Sequence, residues 1–177
     1  PQLEFGADPE TVVAKSNDLV RGRHNFSTIE QRIFVAMVAQ LDRDEDTFSL
    51  QSVPIRKVSS ETNESDLYRR IDNITDRLLD RVIEIRAQDE QGREEQFVKY
   101  NVFSRCQYDR GSGVVKAKFT EDMRPFLLRL KEKFTLYLIT VFLRLRSKYS
   151  TQIYELLKIR QGLRRYRISV EEFRRTL

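Results

Sequence analysis

Apolar residues recur with a helical period near the start of the chain, where Ile29, Ile33, Phe34, Met37, Val38 and Leu41 predict a core-facing helix over about 28–41. Ser27-Thr28-Ile29-Glu30 stands in front of it as a capping box: the Ser27 hydroxyl accepts from the third helical amide while the Glu30 carboxylate reaches back. A sharper stripe follows. Leu67, Ile71, Ile74, Leu78 and Val82 fall within a narrow arc at 100° per residue, predicting an amphipathic helix capped by Asn63 or Ser65 and running to about Arg81. Its polar side is divided by sign, with Arg70, Arg77 and Arg81 on one shoulder beside Asn73, and Asp72, Asp76 and Asp80 on the other.

Between these helices, 47–53 reads as a short strand ended by Pro54, and 55–60 as a short helical segment. Alternation over 82–86 and 96–108 predicts two strands joined by the turn Asp89-Glu90-Gln91-Gly92. Arg110-Gly111-Ser112-Gly113 makes a second turn, with a third strand over 114–119. Helix, strand, helix, helix and then hairpin is the order of an α+β winged-helix module, in which the 82–108 hairpin is the wing. Residues 1–14 read as an irregular arm, and 16–25 as a polar segment. A helix is expected over 121–131, and 134–145 is strand or helix by periodicity alone.

The C-terminal part holds a helix from Tyr149 to about Gln161, capped by Ser147 or Ser150 and stopped at Gly162. Ile153, Leu156 and Leu157 form its apolar stripe, with Tyr149 and Tyr154 at the flanks. A short strand over 164–169 and a helix capped by Ser169 follow. This repeats the strand-helix order of 47–60 and suggests the opening of a second module. The boundaries are then 1–14 for the arm, 15–147 for the first module and 148–177 for the start of the second. The opening at Pro1 implies residues before it, and the second module breaks off ahead of its recognition helix and wing.

Charge changes the picture. Residues 1–121 carry 18 Lys/Arg against 22 Asp/Glu, a net −4, whereas 122–177 carry 14 against 5, a net +9. A basic third on a mildly acidic body is an electrostatic footprint for a polyanion. Catalytic chemistry finds little to work with. His24 is the only histidine and Cys106 the only cysteine, so a Cys/His metal site, an intramolecular disulfide and the histidine-cluster metal site of a rolling-circle nickase are all disfavoured. His24 is expected in a surface loop, Cys106 as a small buried side chain in a reducing compartment. The glycines are scattered and build no phosphate-binding loop. The acidic run Asp42–Asp46 lacks the spacing of a calcium loop. No segment has the length of apolar sequence that a membrane span needs. The chain is therefore expected to be non-enzymatic, without cofactor or metal.

Duplex DNA is the partner that remains, bound through Lys/Arg contacts to phosphates. The candidates are Arg56, Lys57, Arg69, Arg70 and Arg77 in the first helix-turn-helix, and Lys148, Arg160, Arg164, Arg165 and Arg167 in the C-terminal part. Asp72, Asp76 and Asp80 oppose deep insertion of the 64–81 helix, leaving the Arg70/Arg77 shoulder as its suited edge. Val98, Val102 and Phe103, with the apolar stretch 136–143, either line a subunit interface or fill the core.

Phe119-Thr120, then Phe134-Thr135-Leu136-Tyr137, then Leu145-Arg146-Ser147-Lys148-Tyr149-Ser150-Thr151-Gln152-Ile153-Tyr154-Glu155-Leu156-Leu157, then Val170-Glu171-Glu172-Phe173 form an ordered set. In that order they resemble the iteron-binding plasmid replication initiators, and the likeness extends back to Lys15-Ser16-Asn17 and the Ile29-Glu30-Gln31-Arg32-Ile33 helix. The resemblance implies two tandem winged-helix domains. It implies a monomer that binds origin iterons and recruits host replication proteins such as a helicase or host initiator, and a homodimer that represses its own gene at an operator inverted repeat. It places the protein in the bacterial cytoplasm, with the plasmid. A winged-helix transcriptional repressor, or a module serving dimerisation alone, are the competing expectations.

Overall fold

The computed structural model describes residues 10–59, 64–88, 91, 93–163, 165 and 167–177. Its centre is the helix α2 (Thr28–Val38), buried at every position from Glu30 to Val38. Ser27 and Glu30 cap it reciprocally as expected, with the Ser27 N–H donating to Glu30 Oε2 at 2.9 Å and the Glu30 N–H to Ser27 Oγ at 3.4 Å. Ile33, Ala36 and Met37 are wholly enclosed, and Phe34 meets Phe26, Phe103 and Phe119 edge-on at 5.6–6.3 Å between ring centroids.

The winged-helix order then unfolds: β2 (Gln51–Pro54), α3 (Ile55–Val58) and α4 (Glu64–Leu79). Ile71, Ile74 and Leu78 are buried as the amphipathic stripe predicts, while Leu67 and the proposed cap Asn63 lie outside the described side chains. The chain turns out of α4 at Arg81, one residue before the expected last stripe position, because Val82 opens a strand.

The wing is not the hairpin the alternation suggested. β3 (Val82–Gln88) and β4 (Glu94–Asn101) form a separate two-stranded ribbon. β5 (Phe103–Asp109) and β6 (Val114–Phe119) join β2 in an antiparallel sheet of order β2-β6-β5, so the wing turn is 110–113. The strand read through 96–108 breaks at Val102. The Val102 N–H bonds the Arg81 carbonyl at 3.1 Å and its carbonyl accepts from Thr120 N–H at 3.0 Å, with the side chain turned into the core. Alternation continues across this break, so the pattern alone does not reveal it. Val102 and Phe103 are consequently core residues, Phe103 stacking on Phe119 at 5.0 Å, and neither offers surface to a second subunit. Val98, on β4, is exposed.

The arm is also structured sooner than expected. β1 (Val12–Ser16) pairs antiparallel with β7 (Phe134–Leu138), from Val12 opposite Leu138 to Ser16 opposite Phe134. Ser16 then caps α1 (Asn17–Arg21), a helix too short and polar to leave a periodic signal. The expected helix over 121–131 is a 3₁₀ turn (Glu121–Met123) and one turn of α5 (Arg124–Leu127), ended by the left-handed Arg129. The ambiguous 134–145 segment is both things in turn, β7 and then α6 (Ile139–Arg144). α7 (Lys148–Ile159) and α8 (Val170–Thr176) complete the order, with Ser147 and Ser169 as caps. The strand expected over 164–169 is unpaired at its described positions, 165 and 167–169.

Candidate nucleic-acid interface

Burial of Ile71, Ile74 and Leu78 turns the opposite side of α4 to solvent, and Arg69, Arg70 and Arg77 are all exposed there. Asp72, Asp76 and Asp80 are exposed on the other shoulder, so the division by sign survives folding. Arg69 pairs with Asp66 one turn earlier, and Arg110 of the wing turn approaches Asp72 at 3.6 Å. Arg56 and Lys57 are exposed on α3.

Arg70 and Arg77 do not stand on an open face. They line a cleft of about 370 Å³ between α4 and the start of α2, together with Asn73, Ser27, Thr28, Ile29, Glu30 and Arg32. Arg32 is only 6% exposed, and its guanidinium donates to the carbonyls of Val58 at 3.1 Å and Leu145 at 2.9 Å. Burial pulls its pKa below the usual arginine value. Sequence reasoning missed Arg32. It lies within the unbroken buried run of α2, where a cation is invisible to periodicity.

The C-terminal candidates gather elsewhere. Arg160 lines a groove of about 650 Å³ with Arg21, Arg23, Arg86 and Arg175, interleaved with Asp18, Glu84 and Glu172. Arg21, Arg23 and Arg86 belong to the stretch whose net −4 concealed them. Arg165 and Arg167 are exposed, Arg164 lies outside the described residues, and Lys148 is half-buried with Nζ 5.0 Å from the Tyr149 ring centroid. The cleft and the groove share no lining residue, so Arg70 and Arg77 line a different cavity from Arg160.

A buried polar network fixes α7 against the module. Glu155 pairs with Lys15 of β1 and accepts from the Tyr137 hydroxyl of β7, and Thr151 donates to Gln31 of α2. The buried face of α7 is Thr151, Gln152, Glu155 and Leu156, not the predicted Ile153-Leu156-Leu157 stripe; Leu157 is 55% exposed. Tyr137 is driven well above the usual phenol range by burial and by the adjacent Glu155 carboxylate.

His24 is half-buried beside Phe26, at 4.7 Å between ring centroids, rather than in a surface loop. Its Nδ1 accepts from the Phe26 N–H at 3.4 Å. Burial, reinforced by the positive Lys15, Lys148 and Arg81, lowers its pKa to about 3. The unfolded chain, with an ordinary histidine near 6.5, binds more protons between those two values. Stability from this group is therefore complete above pH 6.5 and declines as pH falls toward 3. Urea midpoints compared at pH 7 and pH 5 should fall more in the wild type than in His24→Gln.

Burial also lifts the half-buried Cys106 thiol to about 11, which opposes thiolate chemistry there. Among the described residues no group of three or more His, Cys, Asp or Glu is placed to hold a metal ion, and no helix is long and apolar enough to cross a membrane.

The sequence family described as initiator replication protein, WH1, matches residues 12–158. The chain belongs to this family. The WH1 match runs from the first residue of β1 to one short of the end of α7, and so takes in both the winged-helix module and the helix that the buried network ties to it. Among solved structures, the WH1 chain is similar to the Pi initiator protein in complex with iteron DNA, with a TM-score of 0.71 and 22% identity over 96% of this chain and 73% of that one. It also matches the WH1 domain of MSBI1.176, a replication protein isolated from a multiple sclerosis patient, at 16% identity and a TM-score of 0.41, covering 57% of this chain and 78% of that one. A search of the curated proteins found no match.

Proposed function

We propose that this WH1 chain binds duplex DNA at the repeats of a replication origin, without catalysis, and that α3 and α4 supply its phosphate contacts. The observation that carries this reading is the exposed cationic edge of α4, Arg70 and Arg77, on a module of an initiator family. Arg56 and Lys57 add two exposed cations on α3, and the iteron DNA in the Pi complex gives the class of partner. Beyond α7, which the buried network ties to the first module, the chain leads into a second winged-helix unit, and Arg160, Arg165 and Arg167 make a second electrostatic contact. Base discrimination belongs mainly to that second unit, because the aspartates of α4 oppose deep entry of its whole face into the major groove.

The test is a salt titration of binding to duplexes carrying origin repeats or scrambled sequence. The contacts by Arg56, Lys57, Arg70 and Arg77 contribute about −3.6 to the log–log slope, those of the C-terminal arginines steepen it further, and Arg77→Ala lowers its magnitude by about 1. A flat salt response, or no binding at low salt, would overturn the reading.

Self-association is the second reading, favoured by one feature. Val12, Leu136 and Leu138 are each about 40% exposed along the β1–β7 ribbon, as is Val141 on α6, and Phe97 and Val98 are exposed on β4. Such patches mark association surfaces. On this reading the dimer represses its own gene while the monomer initiates replication and engages host replication proteins. A strictly monomeric chain at high concentration in sedimentation would remove it.

A further inference from the structure

The cleft between α2 and α4 has the chemistry of an anion receptor. Thr28 and Ile29 are the first two residues of α2, and their amides have no intrahelical acceptor. The capping box satisfies the third helical amide, leaving these two with no hydrogen bond among the described residues. An α-helix N-terminus favours negative charge through its macrodipole and its unpaired donors.

The second observation is independent of the helix end. Arg32 lines the same cleft, is more than nine-tenths buried, and keeps its Nε buried with no hydrogen-bond partner among the described residues. Two of its nitrogens are held by backbone carbonyls, so the guanidinium is fixed in place with a donor to spare. A buried donor in a native structure without a partner calls for a ligand or a water. Arg70 and Arg77 add two positive charges from the opposite wall, and Asn73 an amide. One lining carboxylate, Glu30, is already engaged on both oxygens: Oε2 with Arg81 Nε at 2.7 Å and with the Ser27 N–H, and Oε1 with Arg81 Nη2 at 3.0 Å.

We propose that this cleft is a phosphate site, built from the Thr28 and Ile29 amides with Arg32, Arg70 and Arg77, and that it seats one backbone phosphate of bound duplex DNA. The proposal rests on the DNA-binding reading for its source of phosphate, and on the cleft alone for its chemistry. It adds to a diffuse cationic edge one fixed point of register, with directed amide donors that a screened surface arginine lacks.

The chain is titrated in two arms, followed by amide chemical shifts. Inorganic phosphate, against chloride at equal ionic strength, should move the Thr28 and Ile29 amides saturably, and Arg70→Ala/Arg77→Ala should abolish that response. A short duplex should move the same amides and be displaced from them by phosphate. Thr28→Pro is the sharper variant. Proline suits the first helical position and the preceding Ser27 is already extended, so the substitution deletes one donor without changing charge or fold. It should weaken duplex binding by about tenfold at fixed salt, the loss of one hydrogen bond to a charged group, with the salt slope unchanged.

Absence of a saturable phosphate response at these amides overturns the site. A phosphate response that the bound duplex leaves untouched overturns its assignment to DNA. Failure to bind any duplex overturns the DNA reading and the assignment together, while the phosphate arm still decides the cleft.

Discussion

Glu155→Ala should destabilise the folded chain by about 3–5 kcal/mol, the cost of leaving one partner of a buried ion pair uncompensated. Lys15 and Glu155 are 4% and 5% exposed, so water does not replace the lost carboxylate. Lys15 lies 5.4 Å from the Phe34 ring centroid and 5.9 Å from that of Tyr137, an environment that attracts a cation weakly and leaves it without an acceptor. Tyr137 loses its hydroxyl acceptor in the same step. Two variants separate charge from packing. Glu155→Gln keeps volume and an acceptor for Tyr137 but strands the lysine, so it should recover only part of the loss. Lys15→Met/Glu155→Leu removes both charges and should come closer to the wild type than either single alanine variant. Urea unfolding reads all of these through the midpoint at constant slope. A Glu155→Ala cost below about 1 kcal/mol would mean that the pair is solvated in solution.

That pair also explains why α7 was read on the wrong face. Apolar periodicity selects Ile153, Leu156 and Leu157, and only Leu156 is buried. What buries α7 is a polar face, Thr151, Gln152 and Glu155, in which Thr151 is paired with Gln31, about 120 residues away, and Glu155 with Tyr137 and Lys15, about 18 and 140 residues away. Pairing at such distances leaves no local periodic trace. The elements that were legible are those whose stabilisation is local: the Ser27–Glu30 box, the Ile71-Ile74-Leu78 stripe, Pro54 at the end of β2 and the Ser169 cap. The wing was displaced because the side-chain period of a strand continues through Val102, where the backbone changes partners from β3 to β6.

The candidate site divides along the same line. Arg70 and Arg77 followed from the sign-split face of one helix. Their company did not: Arg32 sits in the apolar helix α2, and its role as a lining cation depends on the packing of α2 against α4. The charge imbalance pointed to the C-terminal third, yet the groove around Arg160 draws Arg21, Arg23 and Arg86 from the acidic body. A net charge reports composition. A patch is made by folding, which places residues from opposite ends of the chain beside one another.

The same dependence on packing predicts that Glu30→Ala will cost about 3 kcal/mol and will disturb the cleft as well. Glu30 is fully buried, and its carboxylate holds the Arg81 guanidinium through two hydrogen bonds while closing the cap at Ser27. Removing it forfeits a cap, worth about 1 kcal/mol, and strands Arg81, whose side chain is 19% exposed and only partly rescued by water. Arg81 lies two residues beyond α4, so the pair fixes the start of α2 against the end of α4, the spacing that places Arg77 across the cleft from Thr28 and Ile29. Glu30→Gln keeps the cap acceptor and one bond to Arg81, and should lose less than half as much stability. Arg81→Ala in the Glu30→Ala background should add less than it does alone, since the two residues act as one unit. Phosphate titration of the folded variants completes the test. If the pair sets the cleft, Glu30→Gln weakens the amide response at Thr28 despite removing a negative charge; if it does not, loss of that charge strengthens it.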